Sequence, residues 1–296
     1  MAYQQWIIDK VTGQILEGLK NNRASWIKGW STSFPRNYNS RKQYSLLNSL
    51  LLNDTAQKNG YKSAYWLTYK QIKGLKGTFK SYEETKKYTV IFYTDFIYLL
   101  NGVSIPESSY KSMDKEHQKE VYIKPFLKSY LVYNFDQTAG IESLDKQGDC
   151  KPIEKAQLFL SSYKECPTIN YLGNQPYYNS KDDTIQLPPN DKFLSSEEFY
   201  ATLFHELTHS TGHEKRLNRE SMKKYSMSDG SRNVEELTAE IGAGFLCLNV
   251  GIEKTIQNNI AYCQSWYEAI KNHKDMLMDA INQASNAYKF IMKNSS

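Results

Sequence analysis

The chain has 296 residues, of which 40% are hydrophobic, and its mean hydropathy is -0.65. This length suggests two domains, and the lack of a long apolar run argues against a membrane-spanning helix or a membrane partner. The first residues lack the basic-then-apolar order of a secretory signal, so we expect a cytoplasmic protein. The four cysteines form no C-x-x-C pair, which argues against a cysteine-ligated zinc site.

Basic charge is concentrated in the first half of the chain. Residues 1–150 carry a net charge of +7, whereas residues 151–296 carry -2. The histidines have the opposite distribution, because only His117 precedes residue 151. Two halves of different chemistry predict two functions. The overall charge of +5 also argues against a mimic of DNA, which would need strong negative charge.

The first half is predicted to mix helices with strands. Apolar residues recur at near-helical spacing in residues 3–20, and a second helix is predicted for residues 44–60. Residues 88–93 and 129–135 are rich in β-forming residues and predict strands. The polar stretch between them, residues 101–120, is interpreted as an irregular insertion.

The second half is predicted to be mainly helical with a short sheet. A change in composition places the domain boundary between residues 147 and 148, which gives domains of residues 1–147 and 148–296. Thr184–Leu187 is predicted as a strand, either an edge strand beside a cleft that binds an extended peptide by strand addition, or an ordinary sheet strand. Predicted helices cover residues 153–163, 195–212, 233–250 and 260–293, the last as one or two helices. We therefore predict an α+β fold, with a small mixed α/β N-terminal domain and a mainly helical C-terminal domain.

The most specific motif is His-Glu-Leu-Thr-His at residues 205–209. On a helix, His205 and His209 lie one turn apart on one face, where both imidazoles can bind one ion. Glu206 stands beside them and can act as general base on a water at that ion. The preceding Ser-Ser-Glu-Glu run and apolar positions predict the helix that this motif requires. The pattern therefore predicts a peptidase site with one zinc ion (Zn²⁺).

Catalytic zinc takes three protein ligands and leaves one position open, so a third ligand must come from elsewhere. His213 is one candidate, but a longer pattern with a third histidine would need that residue type at position 215, which is lysine. Glu236 and Glu240 share the face of a later helix. We predict Glu236 as the ligand and Glu240 as the acceptor that fixes the tautomer of a ligand histidine. Glu235 stays open as a third possibility.

Peptide hydrolysis at this site would follow the usual order for zinc peptidases. Zinc polarises the scissile carbonyl, and Glu206 moves a proton from water to the leaving amine. A side-chain donor should stabilise the oxyanion. His213, Tyr178 and Tyr225 are the candidates for this donor, and the sequence does not choose among them.

Cations alternate with aromatic residues in parts of the first half. Single-stranded nucleic acid is bound by cations that contact phosphates and by aromatic rings that stack on bases. Composition permits such binding without proving it, since aromatic residues usually belong to cores. The candidates for DNA contacts are Arg41, Lys42, Tyr44, Trp66, Tyr69, Lys70 and Gln71.

These motifs resemble those of the ArdC-type antirestriction proteins of plasmids and mobile elements. In the first half the resemblance rests on Y-S-L-L-N-S-L-L-L at residues 44–52, on W-L-T-Y-K-Q at residues 66–71 and on Y-N-F-D-Q at residues 133–137. In the second half it rests on H-E-L-T-H-S-T-G-H at residues 205–213 and on E-E-L-T-A-E at residues 235–240.

The resemblance implies a single-stranded-DNA-binding domain followed by a zincin-like metallopeptidase domain with a glutamate as third ligand. The chain departs from the family pattern at residues 45–47, where Ser-Leu-Leu replaces a segment that usually contains glycine. Three functions remain open. The first is a zinc peptidase that cuts proteins found at single-stranded DNA. The second is a non-proteolytic protector of that DNA with a structural zinc site, and the third is a processing peptidase whose first domain binds protein.

Overall fold

The computed structural model describes residues 2–24, 34–144, 151–252 and 260–295. In chain order, the elements of the first half are α1 (Ala2–Lys20), β1 (Arg36–Asn37), α2 (Leu46–Asn59), β2 (Tyr65–Thr68), α3 (Tyr69–Gly74), β3 (Thr78–Phe79), β4 (Thr89–Leu100), β5 (Val103–Ile105), α4 (Glu107–Ser112), α5 (Lys115–Lys119), β6 (Val121–Asn134) and β7 (Thr138–Ala139). The predicted boundary between residues 147 and 148 lies outside the described residues.

The second half is mainly helical, as predicted. Its elements are α6 (Pro152–Ser162), β8 (Thr168–Tyr171), β9 (Tyr177–Asn179), β10 (Thr184–Leu187), α7 (Ser196–Ser210), α8 (Glu220–Lys223), α9 (Asp229–Val250), α10 (Ile260–Asn272) and α11 (Lys274–Lys293). Among the described helices, none is both long and apolar enough to cross a membrane.

A five-stranded sheet in the order β1-β2-β6-β4-β5 organises the first half. Strands β4 and β6 pair antiparallel along their whole length, from Thr89 opposite Val132 to Leu100 opposite Val121. The strands predicted for residues 88–93 and 129–135 are therefore only the ends of a long hairpin. Residues 101–120 form its tip, and the prediction that they are irregular was wrong, since they contain β5, α4 and α5.

A buried asparagine of helix α2 forms hydrogen bonds with this sheet. The side chain of Ser45 caps the helix by accepting from the backbone N–H of Asn48, and Gly60 ends it in the left-handed conformation with a φ of 71°. The Asn48 amide donates to the carbonyl of Phe92 at 2.8 Å and accepts from its N–H at 2.9 Å. Asn48 has no exposed surface, so these bonds replace those that water would have made.

The second half contains a three-stranded sheet in the order β8-β10-β9. Strand β10 lies in the middle, parallel to β8 and antiparallel to β9. The prediction of an edge strand at Thr184–Leu187 was therefore wrong, and the alternative of an ordinary sheet strand holds. Ile185 and Leu187 have no exposed surface, which explains the central position of β10.

The two halves share one hydrophobic core among the described residues. Val11, Ile15 and Leu19 of α1 belong to the same buried cluster as residues of α7, α9, α10 and α11. Phe34, which leads into β1, stacks on Phe245 of α9 with ring centroids 5.4 Å apart. Burial of this apolar surface stabilises both halves together.

Candidate metal centre

Helix α7 presents the two histidines of the His-Glu-Leu-Thr-His motif. The side chain of Ser195 caps the helix by accepting from the N–H of Glu198 at 3.2 Å. The apolar face of α7 is buried, with Leu203 fully inside the core. On the remaining face, His205 and His209 point at each other with their Nε2 atoms 3.1 Å apart. The two nitrogen lone pairs therefore converge on one point, as the helical spacing predicts.

Helix α9 brings Glu236 to the same point. Its carboxylate lies 3.5 Å from His205 Nε2 and 3.7 Å from His209 Nε2. One ligand atom from each of the three residues lies within 4.8 Å of the others. A tetrahedral ion with bonds of about 2.0–2.1 Å holds its ligand atoms about 3.4 Å apart, so these side chains fit a zinc-sized ion. The donor set of two imidazoles and one carboxylate suits several divalent transition metals.

Each histidine has a second carboxylate behind it. Glu240 lies 3.5 Å from His205 Nδ1, and Glu235 lies 3.1 Å from His209 Nδ1. A carboxylate at Nδ1 favours the tautomer that carries its proton there and leaves Nε2 free for a metal. This arrangement does not support Glu235 as a metal ligand, the possibility that the sequence left open. Glu235 faces Nδ1 of His209, whereas Nε2 faces the ion position.

Glu235 is a fully buried carboxylate that forms an ion pair with Arg219 at 2.5 Å. Burial alone raises the pKa of Glu235, but the hydrogen bond from His209 and the charge of Arg219 outweigh burial and hold that pKa far below its usual value. Burial lowers the pKa of the His209 imidazole. Its hydrogen bond to Glu235 and the negative charge of Glu235 outweigh burial and raise that pKa. Arg219 was not predicted from the sequence, because an arginine 16 residues before Glu235 forms no local motif with it.

Glu206 lies beside the two histidines and is 6% exposed. Burial raises the pKa of its carboxyl, while the charges of His209 and His205 and the backbone N–H of Tyr178 oppose this increase. A carboxylate with a raised pKa next to a metal position is suited to accept a proton from water.

The three predicted oxyanion donors lie in different surroundings. The Tyr225 hydroxyl donates to Glu236 and thus lies at the centre. The Tyr178 hydroxyl donates instead to Asp183 at 2.9 Å. Nδ1 of His213 accepts from the backbone N–H of Lys215 at 3.2 Å, and His213 is not part of the candidate ligand cluster among the described residues.

The centre lies at the floor of an open cleft with a volume of about 540 Å³. Strand β9 and the following turn form one wall, and residues in and after α8 form the other. The lining residues are Pro176, Tyr177, Tyr178, Ser180, Lys181, His205, Glu206, His209, Met222, Lys223, Tyr225, Ser226 and Glu236.

The seven candidates for DNA contacts separate into buried and exposed residues. Trp66 is 1% exposed and Tyr44 is 5% exposed, so their rings belong to the core and cannot stack on bases. Gln71 forms a capping box with Thr68 and serves the start of α3. The interpretation of Trp66 and Tyr44 as DNA contacts was therefore wrong, whereas that of the half-buried Gln71 stays a prediction. The remaining candidates, Arg41, Lys42, Tyr69 and Lys70, are exposed.

Two family models match the chain, one for each half. A model described as the N-terminal domain of anti-restriction factor ArdC matches residues 5–133. A model described as a zincin-like metallopeptidase matches residues 154–283. Crystal structures of the ArdC antirestriction protein from plasmid R388 are 29% identical to this chain and superpose with a TM-score of 0.73. The metal-free structure covers 97% of both chains and the Mn(II)-bound structure covers 98% of both.

Similar sequences include longer proteins. DNA primase TraC of Escherichia coli is 28% identical over 95% of this chain, but the chain spans only 19% of that primase. The uncharacterized protein y4eC of Sinorhizobium fredii (strain NBRC 101917 / NGR234) is 25% identical, with 94% of this chain and 89% of that protein covered. Because both halves match in the order found in ArdC and the fold agrees over nearly the whole chain, the protein belongs to the ArdC-type antirestriction protein family.

Proposed function

We propose that the protein is a zinc-dependent peptidase of a mobile element, which cuts proteins at single-stranded DNA bound by its N-terminal half. The convergence of His205, His209 and Glu236, with Glu206 beside them in an open cleft, is the observation that carries the proposal. A set of three protein ligands leaves one position open, which is typical of catalytic zinc rather than structural zinc.

The residues of the cleft divide the chemistry among them. An ion held by His205, His209 and Glu236 would supply Lewis acidity for water and for a peptide carbonyl. Glu206 accepts the proton of the attacking water and delivers it to the leaving amine. Tyr225 is the preferred oxyanion donor because of its position: its hydroxyl contacts the candidate ligand Glu236, whereas the Tyr178 hydroxyl is directed to Asp183, which is not a candidate ligand.

The Glu206→Gln variant tests the peptidase activity. Loss of the general base should lower hydrolysis of an unfolded protein substrate about 10²–10⁴-fold. Bound metal should be retained, because Glu206 is not part of the ligand set. The first readout is the metal content, measured by mass spectrometry. The second is hydrolysis after zinc or manganese is added back, measured with and without an oligonucleotide. Unchanged hydrolysis in the variant would refute the role of Glu206.

The proposed DNA site is an exposed basic surface formed by Arg41, Lys42, Tyr69, Lys70 and Lys73. Each of the four cations has no ion-pair partner in the described part of the chain, so their charge is available to phosphates. The Tyr69 ring is 53% exposed and stacks on Phe79 with ring centroids 6.2 Å apart, so an aromatic surface lies next to these cations.

Two segments build this basic surface. The side-chain amides of Asn37 and Gln71 form two hydrogen bonds, with Asn37 Nδ2 donating at 3.3 Å and Gln71 Nε2 donating at 3.2 Å. These bonds hold the turn after β1 against α3. A groove of about 470 Å³ lies between the two segments and is lined by Asn39, Thr68, Lys70, Gln71, Gly74 and Leu75. Lys70 in this lining supplies a positive charge for a DNA phosphate.

Replacement of Lys70 by alanine tests the basic surface. We expect weaker binding to single-stranded oligonucleotides of every sequence, with a salt slope reduced by about 0.7. Lys58→Ala is the matched control, because Lys58 already pairs with Glu17 at 2.8 Å. Binding can be measured by fluorescence anisotropy at several salt concentrations. If Lys70→Ala and Lys58→Ala weakened DNA binding equally, the basic surface would not be the DNA site.

The second candidate is a protector of single-stranded DNA in which zinc is structural. It predicts that Glu206→Gln keeps the antirestriction effect in cells while Lys70→Ala loses it. The proposed peptidase predicts loss in both variants. The open cleft favours the peptidase, because a structural zinc site is closed by four protein ligands.

A further inference from the structure

A buried polar network lies behind His209, on the side away from the cleft. Arg219 is 6% exposed and Glu235 has no exposed surface. Arg219 Nε donates to Glu235 Oε2 at 3.0 Å, and its Nη2 donates to Oε1 at 2.5 Å. Ser221 Oγ donates to the same Oε2 at 2.6 Å and contacts Gln283 of α11 at 2.7 Å. Both carboxylate oxygens of Glu235 are thus held, and the side chain cannot rotate.

We infer that Arg219 is a positioning residue that fixes the His209 imidazole for metal binding. The inference rests on the metal site of the proposed function and adds a residue that does not touch the ion. Arg219 reaches His209 from two directions. Its Nη2 donates to the His209 carbonyl at 3.3 Å and to the Thr208 carbonyl at 2.9 Å. Through Glu235 it also fixes the imidazole, since Glu235 Oε1 lies 3.1 Å from His209 Nδ1.

The contacts of Arg219 connect three elements at the point where the metal ligands meet. The carbonyls of Thr208 and His209 belong to the last turn of α7, where they also accept from the backbone N–H groups of Thr211 at 3.2 Å and Gly212 at 2.8 Å. Glu235 belongs to α9 and immediately precedes the candidate ligand Glu236. Arg219 itself stands directly before α8. One guanidinium therefore sets the spacing between the helix that carries the histidines and the helix that carries the acid.

The other histidine is held differently. Glu240 lies 3.5 Å from His205 Nδ1, and the two side chains are 13% and 18% exposed. Glu235 and His209 lie closer together and are 0% and 8% exposed. A buried, charge-assisted bond is stronger and more directional than a partly exposed one. His209 is accordingly the more rigid ligand, and its orientation depends on Arg219.

Two variants test the role of Arg219 through metal affinity, measured by competition with a coloured chelator. Arg219→Lys keeps the charge but loses the forked donor geometry. Arg219→Met combined with Glu235→Gln removes both charges, so that no buried carboxylate is left unpaired. We expect both to bind zinc about 10–100-fold more weakly than the wild type, the usual effect of losing an outer partner of a ligand histidine.

The matched control is Arg216→Met. Arg216 is also a buried arginine near the end of α7, it pairs with Asp183 at 2.8 Å, and it donates to the Ser210 carbonyl at 3.0 Å. It does not contact either ligand histidine or Glu235 among its described hydrogen bonds. Its loss should lower thermal stability without changing zinc affinity.

A spectroscopic signature separates positioning from general stability. Cobalt(II) in place of zinc gives visible absorption bands whose intensity reports coordination geometry. We expect altered bands in both Arg219 variants and unaltered bands in Arg216→Met. Equal affinities and spectra in wild type and Arg219 variants would overturn the inference, as would equal losses in the Arg216 control. Absence of metal binding by the wild-type protein would instead overturn the metal site itself.

Discussion

Neighbouring residues on one helix have different roles at this centre. Glu235 and Glu236 follow each other on α9, where successive side chains point about 100° apart. Glu236 consequently faces the Nε2 atoms of the two histidines, while Glu235 faces the Nδ1 atom of His209. Burial raises the pKa of both carboxyl groups, but contacts with the histidines, with Arg219 at Glu235 and with Tyr225 at Glu236, outweigh burial and hold both pKa values below the usual range. Both residues are therefore ionised at neutral pH, although only one of them points toward the ion position.

Removal of Glu236 should have the largest effect of any single acid on metal binding. We expect Glu236→Ala to lower zinc affinity by more than the roughly 10–100-fold that is typical for an outer partner. Isothermal titration of metal-depleted protein measures this loss. The exposed Glu214 provides the control, because Glu214→Ala removes the same charge away from the cleft. If replacement of Glu236 lowered zinc affinity less than replacement of Glu235, Glu235 would be the ligand and Glu236 the outer partner.

A second residue-level prediction concerns Asp183 and pH. Burial raises the pKa of Asp183, but bonds from Arg216 at 2.8 and 2.9 Å and from Tyr178 outweigh burial and lower it below the ordinary 3.8. A pKa that is lower in the folded state favours folding above the unfolded pKa, and this contribution is lost as the pH falls through the folded pKa.

The Asp183→Asn variant should therefore be less stable than the wild type at neutral pH. As the pH falls toward and below 3.8, the difference in free energy of unfolding should narrow. Urea denaturation of the metal-free proteins at a series of pH values measures this difference. A difference that stays constant with pH would show that Asp183 contributes packing rather than charge.

At the scale of elements, the approach of α7 and α9 determines whether the ligands meet. Gly242 of α9 lies against Thr208 of α7, and a Cβ added at this glycine would lie 2.5 Å from Thr208 Cγ2. Real Cβ atoms do not approach so closely, so a larger residue would separate the helices. Glycine at this position therefore allows the close packing that brings Glu236 to the histidines.

The Gly242→Ala variant tests this packing. Overpacking should lower the free energy of unfolding by about 1–3 kcal/mol and also weaken metal binding, because it moves α9 away from α7. Gly230→Ala on the same helix is the matched control, since a Cβ there meets nothing within 4 Å. Chemical denaturation and metal titration of both variants give the comparison. Full metal affinity in Gly242→Ala would show that the helices adjust without moving the ligands.

Elements were predicted best where a local pattern is strong. Helix α2 has its capping residue and terminal glycine in the sequence, and α7 has its serine cap and apolar face. The hairpin β4–β6 was predicted only at its ends, because much of its outer part is half-exposed on both faces and lacks strict alternation. The central position of β10 depends on its partners β8 and β9, which local patterns do not reveal.

At the scale of the whole molecule, the shared core joins the two halves. Helix α1 packs against α10 and α11, and Phe34 packs between Phe245 and Tyr288 at 5.4 and 5.5 Å. Phe34 lies only two residues before β1, whose turn carries part of the proposed DNA surface. The two halves matched by the family models therefore pack against each other through one shared hydrophobic core.

Replacement of Phe34 by alanine should destabilise both halves together. The expected loss is about 3–5 kcal/mol, as for other buried aromatic residues. Hydrogen exchange measured by mass spectrometry should show faster exchange in α2 and in α11 alike. Tyr82→Ala is the control, because Tyr82 is 74% exposed and surface changes have small effects. Faster exchange confined to the first half would contradict a shared core.

The sequence by itself predicted the paired histidines, the glutamate beside them and the likeness of both halves to ArdC-type proteins. These features are local, because a helix places residues i and i+4 on one face whatever surrounds it. Only the tertiary structure shows that Glu235 and Glu236 face different histidine nitrogens, that Arg219 pairs with Glu235, and that Trp66 and Tyr44 are buried. The physical reason is that these depend on which elements pack together, and packing joins residues that are far apart in the chain.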